Sequence, residues 1–331
     1  MQALRIVQPN QTELVSLAMP TVLAHTLLIK VMASGVCGTD IHILRGEYLG
    51  EYPVIPGHEF AGVVEQVGEG VSRFKPGDRV AVEPNIACDN CANCLNNRQN
   101  FCLNWQAVGV TLPGAMAQYV VVPEKAAFSI GDLAFEQGAF MEPLSCVLHG
   151  VERLNPHVAD QVLLLGAGPI GCLLLQTLRL RGAGHVTVVD KNPARLEIAQ
   201  MFGANNCYRD LEQPSRDHYD TVVDATGAIP VMSRVLEFVR PGGSILLFGV
   251  PPQGAKITFD AFTIFHKGLT ILSSFTSVRN SLQAIGLLKI ERIRVTDLIS
   301  HRLSLRDFEH GIELIEQGTE NVKKVIILPN G

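Results

Sequence analysis

The sequence predicts an α/β protein that joins a β-rich domain to a doubly wound parallel sheet. The chain has 331 residues, more than the roughly 100–200 residues that one domain usually holds. Up to about residue 130, short apolar runs are separated by glycine and proline, as in Pro76-Gly77-Asp78. From residue 161, apolar runs alternate with segments of helical spacing. Such alternation predicts parallel strands with helices on both faces of the sheet.

The elements follow from these patterns in chain order. Strands of the β-rich part are predicted at residues 27–33, 61–67, 79–82 and 118–122. Parallel strands are predicted at 162–165, 186–190, 221–224, 244–248 and 269–275, with helices at 169–181, 193–202 and 229–239. The tail carries a predicted helix at 305–317 and a strand at 324–328. Periodicity alone leaves open to which domain the tail belongs.

Composition and charge exclude several classes of function. The chain has 27 basic and 32 acidic residues, a net charge of −5, and 6% aromatic residues, which argues against binding nucleic acid because phosphate contacts need a basic face. The longest uncharged apolar run, 162–175, is interrupted by glycine and is shorter than the about 20 residues of a membrane span. We find no secretory segment at the N-terminus, so the eight cysteines indicate a reducing compartment, the cytoplasm.

A glycine-rich segment predicts a dinucleotide site. Gly166-Ala167-Gly168-Pro169-Ile170-Gly171 is a GxGxxG motif between a predicted strand and a predicted helix, where the glycines allow a tight turn, a close pyrophosphate and close packing. Asp190 ends the next strand, where a carboxylate accepts hydrogen bonds from the ribose 2′-hydroxyl of NAD and repels the 2′-phosphate of NADP. The neighbouring Lys191 weakens this preference for NAD. The alternative is a turn that binds nothing, with Asp190 capping the next helix. Arg195 either covers the adenine or is a solvated helix residue.

Four cysteines predict a structural zinc site in a lobe at about residues 85–105. Their spacing is C-x2-C-x2-C-x7-C, and four thiolates around one Zn²⁺ leave no open coordination position. Disulfides, buried thiols or a zinc ribbon for nucleic acid are the alternatives; the first conflicts with the compartment, and the last needs more basic residues. The four cysteines are Cys88, Cys91, Cys94 and Cys102, whereas Cys146, Cys172 and Cys207 lack metal spacing and are expected to be buried.

Further candidates are scattered, and their spacing does not prove that they converge. They are Cys37 in GVCGTDIH, His58 and Glu59 in PGHEFAGVV, and Glu142 in EPL. These motifs, the four-cysteine lobe and GAGPIG occur in an order that resembles the zinc-dependent medium-chain alcohol dehydrogenases. The resemblance is closest to their polyol (sorbitol dehydrogenase-like) and threonine dehydrogenase-like branches, and it covers essentially the whole chain.

The resemblance implies a catalytic zinc and a domain layout. Cys37, His58 and Glu59 would bind the metal, Glu59 either as a ligand or in exchange with water. Glu142 stands where the classical alcohol dehydrogenases of this family have a cysteine ligand. It would therefore bind the zinc either directly or through a water. The layout would be a GroES-like catalytic domain at 1–135 and 290–331, with a Rossmann NAD-binding domain at 136–289 and the active site in the cleft.

The resemblance also implies an activity: reversible oxidation of a secondary alcohol, as in a polyol, cyclitol or sugar acid, to a ketone by NAD, with two zinc ions per chain. Thr39 would meet the reacting oxygen and His42 would pass its proton to solvent; by pattern alone they are a helix cap and a surface histidine. Threonine and 2,3-butanediol are alternative substrates. A zinc-free reductase of the same superfamily and an NAD- and metal-binding regulator without turnover are the rival readings.

The remaining predictions concern the oligomeric state, the cofactor contacts and the substrate contacts. The family resemblance also implies a homodimer or homotetramer, while the charge and the short apolar run predict that it binds neither nucleic acid nor membrane. Residues at the ends of parallel strands would line the cofactor, and two residues would contact a second substrate hydroxyl, although the tyrosine among them is equally consistent with loop packing. The cofactor residues are Thr226, Gly249, Val250, Ser274 and Phe275, and the substrate residues are Tyr48 and Glu142.

Overall fold

The computed structural model describes residues 1–319 and 321–331, and the chain divides into two compact units. The first unit comprises Met1–Ser145 and Thr276–Gly331, and the second comprises Cys146–Phe275. The domain limits predicted from the sequence, 1–135 with 290–331 and 136–289, stay a prediction beside this division.

The elements up to residue 154 are mostly strands. They are β1 (Gln2–Gln8), β2 (Gln11–Ser16), β3 (Thr26–Gly35), α1 (Gly38–Arg45), β4 (Glu59–Val67), β5 (Arg79–Val82), β6 (Asn85–Ile86), α2 (Ala92–Leu95), β7 (Gln106–Ala107), β8 (Tyr119–Pro123), β9 (Ala127–Ser129), α3 (Phe135–Ala139) and α4 (Met141–Leu154).

Beyond residue 160, strands and helices alternate. They are β10 (Gln161–Leu165), α5 (Pro169–Leu180), β11 (His185–Val189), α6 (Pro193–Met201), β12 (Asn206–Tyr208), β13 (Tyr219–Asp224), α7 (Ile229–Met232), β14 (Val239–Leu247), α8 (Ala261–Lys267), β15 (Thr270–Ser273), α9 (Ser281–Lys289), β16 (Ile299–Leu303), α10 (Phe308–Gln317) and β17 (Lys324–Ile327).

The first unit is built on a seven-stranded sheet. Its order is β16-β17-β3-β4-β5-β9, and β8 also pairs with β3. The central strand β3 pairs antiparallel with β4 in a register that sets Gly35 opposite Glu59. Buried aliphatic side chains on these strands, such as Ile29, Val64 and Val80, form one apolar core. The tail strand β17 hydrogen-bonds to β3, so the tail belongs to this unit.

The second unit is a six-stranded sheet of the order β12-β11-β10-β13-β14-β15, in which every pair is parallel. The chain starts at the central strand β10, moves to one edge and then returns to fill the other side. This order is that of the dinucleotide-binding doubly wound fold, whose ligands bind where the order reverses. The predicted fold class is thereby confirmed.

One predicted helix is wrong in extent. Residues 229–239 carry a helical apolar spacing, yet α7 ends at Met232, a 3₁₀ turn covers Val235–Glu237, and β14 begins at Val239. Phe238 and Val239 are fully buried in the core beneath the sheet, so tertiary packing overrides the local period. None of the helices in the described residues is both long and apolar enough to cross a membrane.

Candidate active site

The sheet of the first unit explains why distant residues meet. Cys37 follows β3 and is the N-cap of α1, whereas His58 precedes β4 and Glu59 is its first residue. Because β3 and β4 are antiparallel and Gly35 lies opposite Glu59, the end of one strand adjoins the start of the other. The sheet register therefore brings Cys37, His58 and Glu59 together.

These three residues form a donor cluster that suits a metal ion. One ligand atom from each, a sulfur, a nitrogen and a carboxylate oxygen, lies within 4.8 Å of the other two. His58 and Glu59 are buried, with 6% and 1% of their surface exposed. A thiolate, an imidazole and a carboxylate are a ligand set that Zn²⁺ accepts, and three protein ligands leave a position open for substrate.

Glu142 is buried in the first turn of α4. Among the described residues, the donors that lie within 4.8 Å of one another here are Cys37, His58 and Glu59. A role for Glu142 as a ligand, directly or through water, stays a prediction.

Asp40 supports the cluster from behind. Its carboxylate is fully buried, accepts the Cys37 N–H at 2.8 Å in a capping box, and lies 3.5 Å from His58 Nδ1. Burial disfavours the charged imidazole, but Asp40 and then Cys37 outweigh it and raise the pKa of His58 well above its ordinary value. Negative charge thus surrounds this imidazole, as a cation site requires, and a carboxylate behind a ligating histidine fixes its ring. Sequence reasoning missed Asp40, although its position three residues after Cys37 is a capping signal.

A buried ion pair joins Glu59 to the tail. Lys324, the first residue of β17, directs its ammonium to Glu59 Oε2, and the side chains are 7% and 1% exposed. Burial opposes the charged ammonium, yet the Glu59 carboxylate, with Cys37 and Asp40 nearby, raises the pKa of Lys324 above its ordinary value. A Cβ on Gly35 would lie 2.4 Å from Glu59 Oε2, so only glycine leaves room for this pair.

Removal of the Lys324 ammonium will destabilise the protein. In protein freed of zinc with a chelator, Lys324→Met leaves Glu59 buried without a cation, a change that costs about 3–5 kcal/mol in buried ion pairs. We expect the free energy of unfolding of this zinc-free variant in denaturant to fall by that amount relative to the zinc-free wild type. Lys323→Met is the matched control, because the Lys323 ammonium donates to the Asp297 carbonyl at the surface, and its loss should stay below about 1 kcal/mol. Equal losses in the two variants would contradict a buried charge pair.

Helix α1 carries the residues predicted for proton transfer. Thr39 and His42 lie three residues apart and share a helix face. Thr39 donates its N–H to Cys37 Sγ at 3.5 Å, so it lies beside the donor cluster. His42 Nδ1 lies 3.0 Å from Glu47 Oε2. Tyr48 packs against the apolar cluster of Ile43 and Val54. This contact is what the loop-packing alternative predicts, and a contact with substrate stays a prediction.

The four-cysteine lobe forms a second donor cluster. All four sulfur atoms lie within 4.8 Å of one another; Cys91 Sγ lies 3.5 Å and Cys88 Sγ lies 4.0 Å from Cys94 Sγ. A tetrahedron with Zn–S bonds of about 2.3 Å has edges of about 3.8 Å, so the spacing fits zinc.

Ionisation of these thiols differs from one cysteine to the next. The backbone N–H of Leu103, followed by that of Cys94, lowers the pKa of Cys91 to about 6. Burial raises the pKa of Cys94 to about 12. Four thiolates cannot coexist here without a cation, and a dication resolves that conflict.

Of the remaining cysteines, Cys172 is buried as expected, but Cys146 and Cys207 are partly exposed, contrary to expectation.

The glycine-rich turn of the second unit suits a phosphate. Gly166 has a φ of +102° in the turn after β10, and a Cβ on Gly171 would lie 2.0 Å from the Gly166 carbonyl oxygen. A Cβ on Gly168, the N-cap of α5, would meet nothing within 4 Å. Pro169 and Ile170 follow in the first turn of α5. The open space above Gly168 is the place where a pyrophosphate would approach the free N–H groups of the helix.

Asp190 closes that turn from the next strand. Its carboxylate accepts the N–H of Ala167 and the N–H of Asn192, both at 2.8 Å. Asn192, rather than Asp190, caps α6, so the alternative assignment of Asp190 as that cap is wrong. Arg195 lies in the first turn of α6, and its Nε is buried without a hydrogen-bond partner in the described part of the chain.

Asp224 organises the end of β13, which sequence reasoning missed. It is fully buried and accepts the Thr226 hydroxyl at 2.5 Å and the Gly227 N–H at 3.1 Å; burial raises its pKa. A Cβ on Gly249 would lie 1.9 Å from the Gly227 N, so these two loops touch.

The other predicted cofactor residues end neighbouring strands. Val250 is 48% exposed beyond β14. Ser274 and Phe275 follow β15, and the Ser274 hydroxyl lies 3.5 Å from His149 Nδ1. These residues therefore share the carboxyl edge of the parallel sheet, where such sheets bind ligands.

These two donor clusters and the dinucleotide turn define the class of zinc-dependent dehydrogenases. Residues 24–132 match the alcohol dehydrogenase GroES-like domain, and residues 169–290 match the zinc-binding dehydrogenase family. The D-altritol 5-dehydrogenase of Agrobacterium fabrum is 38% identical, with 93% of this chain and 94% of that protein covered. The chain therefore belongs to the zinc-binding alcohol dehydrogenase family, and it is an oxidoreductase that acts on CH–OH donors.

Two solved structures are similar over nearly all of the chain. A protein of Sinorhizobium meliloti 1021 described as a zinc-binding dehydrogenase, solved with NADP, has a TM-score of 0.92 and 32% identity, with 99% of each chain covered. A protein of Escherichia coli CFT073 described as a short chain alcohol dehydrogenase, solved with NADH, has a TM-score of 0.91 and 29% identity, again with 99% of each covered.

Proposed function

We propose that this enzyme oxidises a secondary alcohol of the polyol, cyclitol or sugar-acid type to a ketone, reversibly, with NAD as hydride acceptor. The observation that carries the proposal is the cluster of a partly exposed Cys37 with the buried His58 and Glu59, beside Thr39. The relative that acts on D-altritol supports a polyol over threonine or 2,3-butanediol. The NADH and NADP in the similar structures support a nicotinamide cofactor.

Two zinc ions per chain complete the proposal. One would be structural, in the four-cysteine lobe, and the other catalytic, on Cys37, His58 and Glu59, with Glu142 as a further candidate. When bound, the catalytic zinc supplies Lewis-acid polarisation of the alcohol oxygen. The Thr39 hydroxyl hydrogen-bonds that oxygen and takes part in removing its proton. His42, on the same helix face and partly exposed, passes the proton to solvent.

Cofactor contacts are proposed for the second unit. The glycine-rich turn, Gly166–Gly171 with Pro169 and Ile170, would hold the pyrophosphate. Asp190 would accept from the ribose of NAD, and Arg195 would cover the adenine. Thr226, Gly249, Val250, Ser274 and Phe275 would line the remainder, and Tyr48 and Glu142 would contact a second substrate hydroxyl.

Asp190→Gly will change cofactor preference. Loss of the carboxylate removes the acceptor for the ribose hydroxyls and the charge that repels a 2′-phosphate. We expect the ratio of kcat/KM for NAD over NADP to fall at least about tenfold, or ~1.4 kcal/mol, in steady-state assays with both cofactors. Asp190→Glu, which keeps a carboxylate at this position, is the control. An unchanged ratio in Asp190→Gly would overturn the assignment of Asp190.

NADH formation across a panel of alcohols tests the proposal. At fixed pH, kcat/KM should be highest for a polyol, cyclitol or sugar acid and lower for threonine and 2,3-butanediol. A protein that binds zinc and NAD but turns over none of the panel would be a regulator instead, and the proposal would be wrong.

We further propose a cytoplasmic homo-oligomer. The chain has eight cysteines, four of them in the metal-binding lobe, a use of thiols that suits a reducing compartment. In the second unit, β15 is an edge strand, and Phe262 and Phe265 on the adjacent helix α8 are 68% and 81% exposed. An exposed edge beside aromatic side chains is suited to pairing with a second copy. Light scattering distinguishes monomer, dimer and tetramer.

A further inference from the structure

We propose that Glu47 is a positioning residue for His42, which fixes the tautomer of this imidazole. Glu47 Oε2 lies 3.0 Å from His42 Nδ1, and the side chains are 36% and 17% exposed. An ionised carboxylate only accepts hydrogen bonds. The proton of the neutral ring must therefore lie on Nδ1, which leaves the Nε2 lone pair as the atom that takes up a proton. The importance of this tautomer for turnover rests on the proposed function, in which His42 carries the alcohol proton.

The end of α1 builds this contact into the backbone. Gly46 adopts the left-handed conformation at φ +77° and ψ +23°. Its N–H donates to the Ile43 carbonyl at 3.0 Å, and the Glu47 N–H donates to the His42 carbonyl at 2.8 Å. This hydrogen-bond pair is the Schellman motif, in which the residue after the glycine returns to the side chain one turn earlier. That contact is usually apolar, whereas here it joins an acid to an imidazole.

Among the described residues, the ion pair of Glu47 is the one with His42. Arg45, the nearest basic residue on the helix, pairs instead with Glu316 at 2.7 Å. A side chain on Gly46 would come within 3.0 Å of the Pro9 ring, so the turn that directs Glu47 to His42 tolerates little change. The Glu47 carboxylate and the His42 imidazole are therefore held together by their side-chain contact and by the backbone hydrogen bonds at the end of α1. An ordinary surface ion pair lacks this second, main-chain constraint.

The direct test is the ¹⁵N NMR spectrum of imidazole-labelled protein, with His42 assigned from a His42→Gln variant. At a pH where the ring is neutral, we expect the Nδ1–H form in the wild-type protein. Glu47→Ala should shift His42 toward the Nε2–H form that free imidazole side chains favour in water. Glu47→Gln, whose amide can both accept and donate, should give a mixture of the two forms between those of the wild type and Glu47→Ala. An Nε2–H ring in the wild type, or an unchanged tautomer in Glu47→Ala, would overturn the proposal.

Kinetics separate positioning from a merely structural role. Glu47→Ala should lower kcat about 10- to 100-fold, less than the roughly 10²–10⁴-fold ascribed to a proton-transfer group itself, with KM changed less than twofold, and Glu47→Gln should recover part of the loss. Glu51→Ala, an exposed acid in the following loop, is the matched control and should be unaffected. If His42→Gln retains full turnover, the proton role in the proposed function fails, while the NMR result still decides the role of Glu47.

Discussion

Cys37→Ser is expected to abolish turnover while the fold survives. The substitution replaces the only thiolate of the Cys37, His58 and Glu59 cluster with a hydroxyl that binds zinc weakly. Outer-shell partners of a metal site are worth roughly 10- to 100-fold in affinity or activity, so loss of a ligand should exceed 100-fold in kcat/KM. Zinc content should fall from two ions per chain to one, with little change in the thermal midpoint.

Cys207→Ser is the matched control for this loss. Cys207 lies in the second unit, with its thiol 3.7 Å from the Leu196 carbonyl oxygen and outside both donor clusters. Both zinc ions and turnover should persist in that variant. An active Cys37→Ser protein that still holds two zinc ions would refute the catalytic assignment.

Cys91→Ser is expected to act in the opposite way, on the fold first. Cys91 supplies one of the four sulfur atoms of the lobe, which all lie within 4.8 Å of one another. Structural zinc contributes its binding free energy directly to folding. We expect a fall of at least about 10 °C in the thermal midpoint, or ~3 kcal/mol at a few degrees per kcal/mol, and early proteolysis within residues 88–102.

Cys91→Ser should differ from Cys37→Ser in its effect on turnover. Any activity lost in Cys91→Ser should follow the loss of folded protein, so kcat per folded molecule should stay near that of the wild type. A Cys91→Ser protein with unchanged thermal midpoint and protease resistance would show that the lobe folds without metal.

Local signals in the sequence predicted much of the molecule. The glycine-rich turn lies within six consecutive residues, and the four cysteines of the lobe are closely spaced in the sequence. Both sites could therefore be predicted from residue spacing. The alternation of strands and helices likewise predicted the parallel sheet. Each of these features depends on neighbours in the chain.

Features set by long-range packing could not be predicted in this way. The pairing of β3 with β4 joins Cys37 to His58 and Glu59, and only resemblance to a family anticipated it. Lys324 joins the site through the pairing of β17 with β3, for which the sequence carries no local signal. The contact between Glu47 and His42 was within reach, because Gly46 just after a short helix is a capping signal.

Anomalous diffraction at the zinc edge from crystals of the purified enzyme would show directly how many zinc ions each chain binds and where. We expect two peaks of similar height per chain. One should lie among the four sulfur atoms of Cys88, Cys91, Cys94 and Cys102, and the other should be bonded to Cys37 Sγ and His58. A fully loaded protein with a single peak, in the four-cysteine lobe alone, would contradict this expectation.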